Sequence, residues 1–138
     1  MARVIMKGVF PMSKKICLHT QNAPEAIGPY SQAIEVGGLV YTSGQIALVP
    51  ETGALVEGGV EAQAHQVFKN LEAVLSSAGC TFENVVKTTV FLTDLADFAV
   101  VNEIYAQYFP EPCPARSCVQ VAALPKGSKI EVELIAAK

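Results

Sequence analysis

An arginine and two glutamates occupy two segments near the end of the chain in which apolar and polar residues alternate. Arg116 lies in the run 114–118, and Glu131 and Glu133 lie in the run 130–134. Alternation with a period of two predicts β-strands. A guanidinium binds a carboxylate through two parallel hydrogen bonds, and a carboxyl group nearby transfers protons. The two segments therefore predict a site that binds a small anionic substrate and moves protons on it.

We expect these two strands to pair with each other. Residues 124–127 lie between them and contain a proline and a glycine, which favours a turn and an antiparallel hairpin. In the register that matches the apolar positions, Arg116 and Cys118 lie on one sheet face. Glu131 and Glu133 lie on that same face. An exposed cross-strand ion pair, worth about 0.2–1 kcal/mol, is the stronger interpretation from this pattern alone. The motifs elsewhere in the chain favour the substrate-binding site over the ion pair.

The composition suits one domain that associates with other chains. A length of 138 residues is enough for a single buried core. Hydrophobic residues make up 51% and charged residues only 17%, so we expect part of the surface to be buried in an oligomer. The net charge is -3 and the largest basic cluster is Lys14-Lys15, which argues against a nucleic-acid partner. The apolar runs are shorter than a membrane span, so no membrane association is expected.

The cysteines and histidines do not have the spacing of a metal site. They are Cys17, Cys80, Cys113, Cys118, His19 and His65. None of the cysteines forms a C-x-x-C pair, so neither zinc nor another metal is expected. A core of this size does not need disulfides. We therefore expect reduced thiols and a cytoplasmic location.

The first residues are expected to be an extension of the domain. We predict an extension at residues 1–14 and one domain at residues 15–138. Residues 1–11 contain two basic residues and no acidic one, but lack a secretory cleavage pattern. Three interpretations stay open for them: a vestigial targeting segment, an expression artefact or a disordered extension. A targeting remnant would place the protein in a mitochondrion or another organelle.

The remaining pattern predicts an α+β fold. We expect strands at residues 15–18, 33–36, 39–42 and 85–92, helices at 60–78 and 95–109, and then the two strands described first. The predicted buried stripes are Ala64, Val67, Phe68, Leu71, Leu75 and Ala78 on the first helix and Phe98, Val101, Tyr105 and Tyr108 on the second. Gly37-Gly38 favours a hairpin turn and Asp94 is expected to cap the second helix. This order predicts a single six-stranded mixed sheet with two helices packed on one face. The opposite face, with the arginine and the glutamates, is expected to contact other subunits and to place the site near an interface.

Several further motifs carry a family resemblance. They are Ala26–Ala33, Tyr41–Ile46, Val86–Leu95 with Phe98–Asn102, Pro114–Cys118 and Lys129–Glu133. In this order and spacing they resemble the RidA family, from about Lys15 to the end of the chain. The resemblance implies a chorismate-mutase-like fold and a homotrimer with one site in each cleft between subunits. It also implies hydrolysis of 2-aminoacrylate and related 2-imino acids to 2-keto acids and ammonia, without a metal or organic cofactor.

The resemblance assigns roles to particular residues. The catalytic residues would be Arg116, which binds the substrate carboxylate, and Glu131, which transfers protons. The substrate-binding residues would be Tyr30, Ser43, Gly44, Asn102 and Cys118. Some have a structural alternative: Tyr30 as a packing tyrosine, Ser43 as a hydroxyl satisfied by backbone, and Asn102 as an amide that ties two elements together. For Glu131 the alternative is a solvated glutamate on a strand. We expect no nucleophilic role for Cys118, because no histidine is assigned near it.

Other functions remain open alongside the deaminase. Proteins of the family are also described as translation inhibitors with endoribonuclease activity, and some as chaperone-like. A small-molecule sensor would use the same arginine pocket. A sensor needs no proton-transfer acid, so Glu131 favours the enzyme. The acidic charge balance argues against specific binding of RNA.

Overall fold

The computed structural model describes residues 14–138, and the interpretations of residues 1–11 lie outside this part of the chain. The strands are β1 (Ile16–Leu18), β2 (Ala33–Val36), β3 (Leu39–Thr42), β4 (Val85–Leu92), β5 (Ala115–Gln120) and β6 (Ile130–Ala137), and the helices are α1 (Val60–Ser77) and α2 (Phe98–Tyr108). The predicted helix at 95–109 begins instead with a separate 3-10 turn, Leu95–Asp97. The other predicted bounds agree within one or two residues, except that β6 continues three residues past its predicted end at 134, to Ala137.

Within the described residues, the strands form one six-stranded sheet in the order β1-β2-β3-β6-β4-β5. Strands β4 and β5 are parallel, and the other neighbours are antiparallel. Helices α1 and α2 pack together on one face of this sheet. The predicted α+β fold, a six-stranded mixed sheet with two helices on one face, is confirmed. We call the other face, which neither α1 nor α2 covers, the open face.

Local sequence signals set the ends of several elements. Gly37 and Gly38 adopt φ values of +57° and +80° in the tight turn between β2 and β3, a conformation that glycine adopts at little cost. Asp94 accepts a hydrogen bond from the backbone N–H of Ala96 at 2.9 Å. It thereby caps the 3-10 turn before α2, whereas the sequence predicts that it caps the helix itself, whose N-cap residue is Asp97.

The core lies between the helices and the sheet. The predicted apolar stripe of α1 is fully buried, with Val67, Phe68 and Leu71 at 0% exposure. Phe68 packs edge-on against Tyr105 of α2, with ring centroids 5.9 Å apart. The prediction that Phe98 belongs to the buried stripe of α2 is wrong, since its side chain is 37% exposed.

The predicted hairpin of β5 and β6 is also wrong. Strand β4 lies between them, parallel to β5 and antiparallel to β6. A parallel pair needs a long crossover connection, and α2 supplies it in the unit β4-α2-β5. Within the described residues β5 pairs with β4 alone, so it forms one edge of the sheet.

This strand order separates the residues that the sequence placed together. Arg116 is opposite Thr88 on β4, and Thr88 is fully buried beneath the helices. Arg116 therefore lies on the helix-covered face. Glu131 is opposite Phe91, which alternates to the other side, so its side chain lies on the open face.

The neighbouring residues follow the same alternation. Cys118, two residues after Arg116 and opposite Val90, shares the helix-covered face. Glu133, opposite Thr89, shares the open face with Glu131. The prediction of one polar face carrying all four side chains is therefore wrong.

Candidate active site

Arg116 is held against one stripe of α2. Its Nη1 donates a hydrogen bond to Asn102 Oδ1 at 2.8 Å. Its Cζ lies 4.7 Å from the ring centroid of Tyr105 and 5.4 Å from that of Phe98. These three residues recur at i, i+4 and i+7 and so lie on one side of a helix. We call this arrangement the arginine cradle: Phe98, Asn102 and Tyr105 around Arg116.

The cradle presents a permanently charged anion-binding group at the surface. Arg116 is exposed and belongs to the edge strand β5. A guanidinium carries five N–H donors, and Asn102 accepts from one nitrogen, which leaves donors free of partners within the described residues. Their planar arrangement matches the two oxygens of a carboxylate. The geometry therefore suits bidentate binding of a small carboxylic acid.

Cys118 lies next to the cradle as an uncharged thiol. It is partly buried, on the same sheet face as Arg116. Burial raises the pKa of the Cys118 thiol, and the positive charge of Arg116 offsets only part of the rise. A thiolate is the reactive form, so these surroundings favour contact with a ligand over nucleophilic attack.

Glu131 lies on the other side of the sheet, in a groove of about 640 Å³. We call it the glutamate groove. Its lining includes two other residues that the sequence predicted, Tyr30 and Gly44, together with apolar side chains such as Ile27, Ile46 and Leu48. Tyr30 lines the groove and its side chain is 54% exposed.

Gly44 makes room for the Glu131 carboxyl group. A Cβ atom added at Gly44 would overlap Glu131 Oε2 and would lie 2.8 Å from its Cδ. The backbone after β3 runs close to β6 here, because Gln45 forms a bridge with Val132. Gly44 is one of the predicted substrate-binding residues, and the structure shows that the missing side chain leaves room for the glutamate.

The surroundings of Glu131 favour its neutral form. Burial raises the pKa of the Glu131 carboxyl, and the negative charge of Glu133 two residues along β6 raises it further. A carboxyl group with a raised pKa is a better proton donor near neutral pH than an ordinary surface glutamate. The group can therefore act as an acid as well as a base.

The hydroxyl of Ser43 is used inside the protein. It donates a hydrogen bond to the Ser31 carbonyl at 2.6 Å, and the Ser43 backbone N–H donates to Gln32 at 2.9 Å. Ser43 thus ties β3 to the segment that carries Tyr30. Its hydroxyl oxygen keeps acceptor capacity, so its predicted contact with substrate stays a prediction.

The predicted site residues form two groups within one chain. Asn102, Arg116 and Cys118 lie around the cradle on the helix-covered face. Tyr30, Gly44 and Glu131 line the glutamate groove, and Ser43 precedes Gly44 at its rim. The chain does not bring its two groups together, because they lie on opposite faces of the sheet.

Sequence reasoning missed three residues near these groups. Phe98 and Tyr105 were interpreted only as core, although their spacing from Asn102 predicts a shared helix face. Lys126, at the rim of the glutamate groove, adopts φ +58°, which is uncommon outside glycine. The Pro-Lys-Gly sequence marked a turn there but did not indicate the side chain's position.

Residues 14–138 contain no group of three or more His, Cys, Asp or Glu side chains arranged to hold a metal ion. None of the helices in this part of the chain has the length and apolar character needed to cross a membrane.

The chain is similar to proteins of one family. The sequence profile of the family described as Endoribonuclease L-PSP matches residues 20–138. Over 119 residues the chain is 57% identical to human 2-iminobutanoate/2-iminopropanoate deaminase, covering 86% of this chain and 87% of the human one. It is 56% identical over 123 residues to the chloroplastic Reactive Intermediate Deaminase A of Arabidopsis thaliana, covering 89% of this chain. The chain spans 66% of the length of that plant protein.

A solved structure gives the same fold. Escherichia coli TdcF with bound serine superposes with a TM-score of 0.84 at 47% sequence identity, covering 89% of this chain and 98% of TdcF. The fold and the two groups of residues define an α+β protein equipped to bind a small carboxylic acid. The chain belongs to the RidA family, whose profile carries the Endoribonuclease L-PSP description.

Proposed function

We propose that this protein is an imine deaminase. It hydrolyses 2-aminoacrylate and related 2-imino acids to 2-keto acids and ammonia. The observation that carries the proposal is that one chain contains both an arginine with free donors, Arg116, and a glutamate of raised pKa, Glu131, among the residues that match the family's motifs. The printed names of the human and Arabidopsis relatives support it.

Arg116 binds the substrate carboxylate in this proposal. A 2-imino acid is a small planar anion, and the free edge of the guanidinium matches its two carboxylate oxygens. Asn102 fixes the rotation of the guanidinium through the 2.8 Å hydrogen bond. The imine carbon is thereby held at a constant distance from the arginine, whatever side chain the substrate carries.

Glu131 moves the protons. The neutral Glu131 carboxyl first gives a proton to the enamine carbon, which produces the iminium ion. Water then adds to the iminium carbon while the Glu131 carboxylate accepts a proton from it, and the neutral carboxyl returns that proton to nitrogen. As the C–N bond of the resulting carbinolamine breaks and ammonia leaves, the carboxylate takes the hydroxyl proton, so the keto acid remains and the neutral carboxyl is restored. The residues of the chain supply each step without a resident cofactor.

The complete site lies between two chains in this proposal. Arg116 and Glu131 are on opposite faces of one sheet, so neither chain can present both to one small substrate. A second copy can place its glutamate groove against the arginine cradle of the first. Each of the two chains then contributes one group of residues to the same cleft. An interface that joins two different surfaces closes into a ring, and the resemblance to the family gives a ring of three.

The open face supports association of copies. Tyr41 and Val119 are 42% and 43% exposed there, and Ile135 and Phe91 are only partly covered. An apolar sheet face of this kind is typical of an interface. Sedimentation equilibrium should therefore give a mass three times that of the 14.6-kDa chain. A monomeric mass at micromolar concentration would contradict the proposal.

A cytoplasmic location is part of this proposal, and cysteines without disulfide partners suit it. All four cysteines of the sequence lie in the described part of the chain and are free. Free thiols are the rule in reducing compartments. Imaging of the full-length chain fused to a fluorescent protein at its C-terminus tests this location. Accumulation in an organelle would identify residues 1–14 as a targeting segment instead.

Release of keto acid from 2-aminoacrylate tests the proposed reaction. A serine dehydratase generates the substrate, and the assay compares the spontaneous rate with the rate in the presence of the protein. We expect acceleration by the wild type, near-complete loss in Arg116→Ala, and normal activity in Lys69→Ala, which removes an exposed lysine of α1 away from both groups. A wild type without acceleration would overturn the deaminase and leave the family's RNA-directed role as the function to assay.

A further inference from the structure

We propose that Phe98 and Tyr105 are positioning residues that hold the Arg116 guanidinium between two aromatic rings. The rings keep its free edge turned toward the substrate carboxylate. This inference rests on the proposed role of Arg116 in binding that carboxylate. It extends the site by two residues that touch the arginine rather than the substrate.

The spacing of the rings matches the size of the gap that the guanidinium fills. Phe98 and Tyr105 are seven residues apart, which is about 10 Å along a helix. The Arg116 Cζ atom lies 5.4 Å from one ring centroid and 4.7 Å from the other, within the range of cation–π attraction. Asn102 lies between them along the helix and accepts from Nη1. The arginine is therefore restrained by three side chains of one helix.

Tyr105 is the fixed side of this arrangement. It is 6% exposed, its hydroxyl is 2.8 Å from that of buried Thr88, and its ring stacks on Phe109 with centroids 4.2 Å apart. Packing on several sides leaves the ring one orientation. The position of the guanidinium thus depends on β4 and the core, not only on the edge strand that carries Arg116.

Phe98 is the exposed side. At 37% exposure, its ring is only partly buried, and its centroid lies 5.4 Å from the Arg116 Cζ atom. The ring therefore covers one side of the guanidinium close to the solvent. An arginine that is already ordered loses less conformational freedom when it binds a ligand, so the two rings increase affinity for a carboxylate.

The test uses the oligomeric protein and 2-oxobutanoate, a keto acid of the product class, as the binding probe. Phe98→Leu keeps an apolar side chain but removes the ring. We expect the dissociation constant of the probe and the KM for imine hydrolysis to rise about 3- to 30-fold. The value of kcat should change less than about twofold, because the arginine contacts the carboxylate in both the ground and the transition state.

Two further variants separate positioning from packing. Phe98→Tyr keeps an aromatic ring at this position and should therefore keep the wild-type affinity for the probe. Val100→Ala alters another apolar residue of α2 with similar exposure, 38%, outside the stripe that forms the cradle, and should leave affinity unchanged. Thermal unfolding of each variant should stay near that of the wild type, since both positions are exposed.

Fluorination of the Phe98 ring provides a readout that a packing role would not move. Successive fluorine atoms weaken the ring's attraction for a cation while they change its volume little. Probe affinity should fall steadily along the series. Equal affinity across the series, or wild-type affinity in Phe98→Leu, would overturn the inference. Arg116→Ala distinguishes a failure of this inference from a failure of the proposed function. If Arg116→Ala also binds the probe with wild-type affinity, the proposed role of Arg116 in binding the carboxylate is wrong.

Discussion

Arg116 and Glu131 lie on opposite faces of one sheet, with strand β4 between the strands that carry them. Each has its own surroundings, an aromatic and amide cradle for the arginine and a half-buried groove for the glutamate. A single chain therefore does not bring these two side chains to one small ligand. The proposed reaction depends on how two copies meet.

Gly44 leaves the space that the Glu131 carboxyl group occupies. In Gly44→Ala the new methyl group displaces the Glu131 carboxyl, which is the mobile end of a side chain, so the fold should tolerate the change. We expect kcat/KM to fall about tenfold or more, because a misplaced acid transfers protons poorly. Steady-state assays and thermal unfolding check both parts. Gly59→Ala is the matched control, since a Cβ there meets open space.

Gln32 should be essential for the loop that carries Tyr30. Its buried amide donates to the Thr20 and Pro24 carbonyls at 3.1 and 2.8 Å and accepts from the Thr20 N–H at 2.8 Å. Gln32→Leu leaves these backbone groups unpaired, so we expect a loss of about 2–4 kcal/mol in the free energy of unfolding. Urea denaturation measures it. A loss below about 0.5 kcal/mol would show that water replaces the side chain without cost.

Local sequence signals were sufficient to predict several elements of the fold. The Gly37-Gly38 turn, the stripe of α1 and the apolar strand β4 were predictable because each depends on neighbours in the sequence. The pairing of β5 was not, because adjacent strands usually pair and the intervening turn suited a hairpin. A signal against it was present: β5 is polar or exposed on both faces, which is typical of an edge strand.

The site was predictable in its residue types but not in its geometry. The motifs identified the residue types, but the face on which each lies depends on strand order. Arg116 and Cys118 were assigned to the wrong face because β4 was not expected between β5 and β6. The cradle was missed for a related reason, since periodicity does not distinguish an aromatic residue that packs in the core from one that packs on a cation.

The raised pKa of Glu131 predicts the pH dependence of stability. Protonation of this group favours folding, so its contribution is complete below the ordinary pKa of 4.5 and is lost as pH rises through the higher folded-state pKa. Glu131→Gln resembles the protonated form. We expect this variant to unfold at a higher temperature than the wild type at about pH 8 and at the same temperature at about pH 4. An unchanged difference across this range would contradict the predicted rise.

Glu133→Gln should shift the pH profile of the reaction. The charge of Glu133 contributes to the raised pKa of Glu131, so its removal lowers that pKa. If neutral Glu131 donates the proton to nitrogen, kcat/KM declines as pH rises through this pKa. The decline should then begin at lower pH in Glu133→Gln than in the wild type. A profile that does not move would show that Glu131 is not the group that limits the rate.

Removal of residues 1–13 should leave the domain intact. Strand β1 begins at Ile16, and the family profile matches residues 20–138. We expect the unfolding temperature to change by less than about 2 °C and kcat/KM to remain within twofold of the full chain. Differential scanning calorimetry and the keto-acid assay measure both. A large loss of stability would mean that the domain extends further toward the N-terminus than we propose.

The most direct test of a site shared between chains is a mixture of two inactive variants. Arg116→Ala and Glu131→Ala are each expected to be inactive, and they are unfolded together and refolded at equal concentrations. In a ring where each site takes its arginine from one chain and its glutamate from the next, about one site in four receives both intact residues. We predict recovery of about one quarter of the wild-type rate, with the separate variants refolded alone as controls. A mixture as inactive as its components would contradict the shared site.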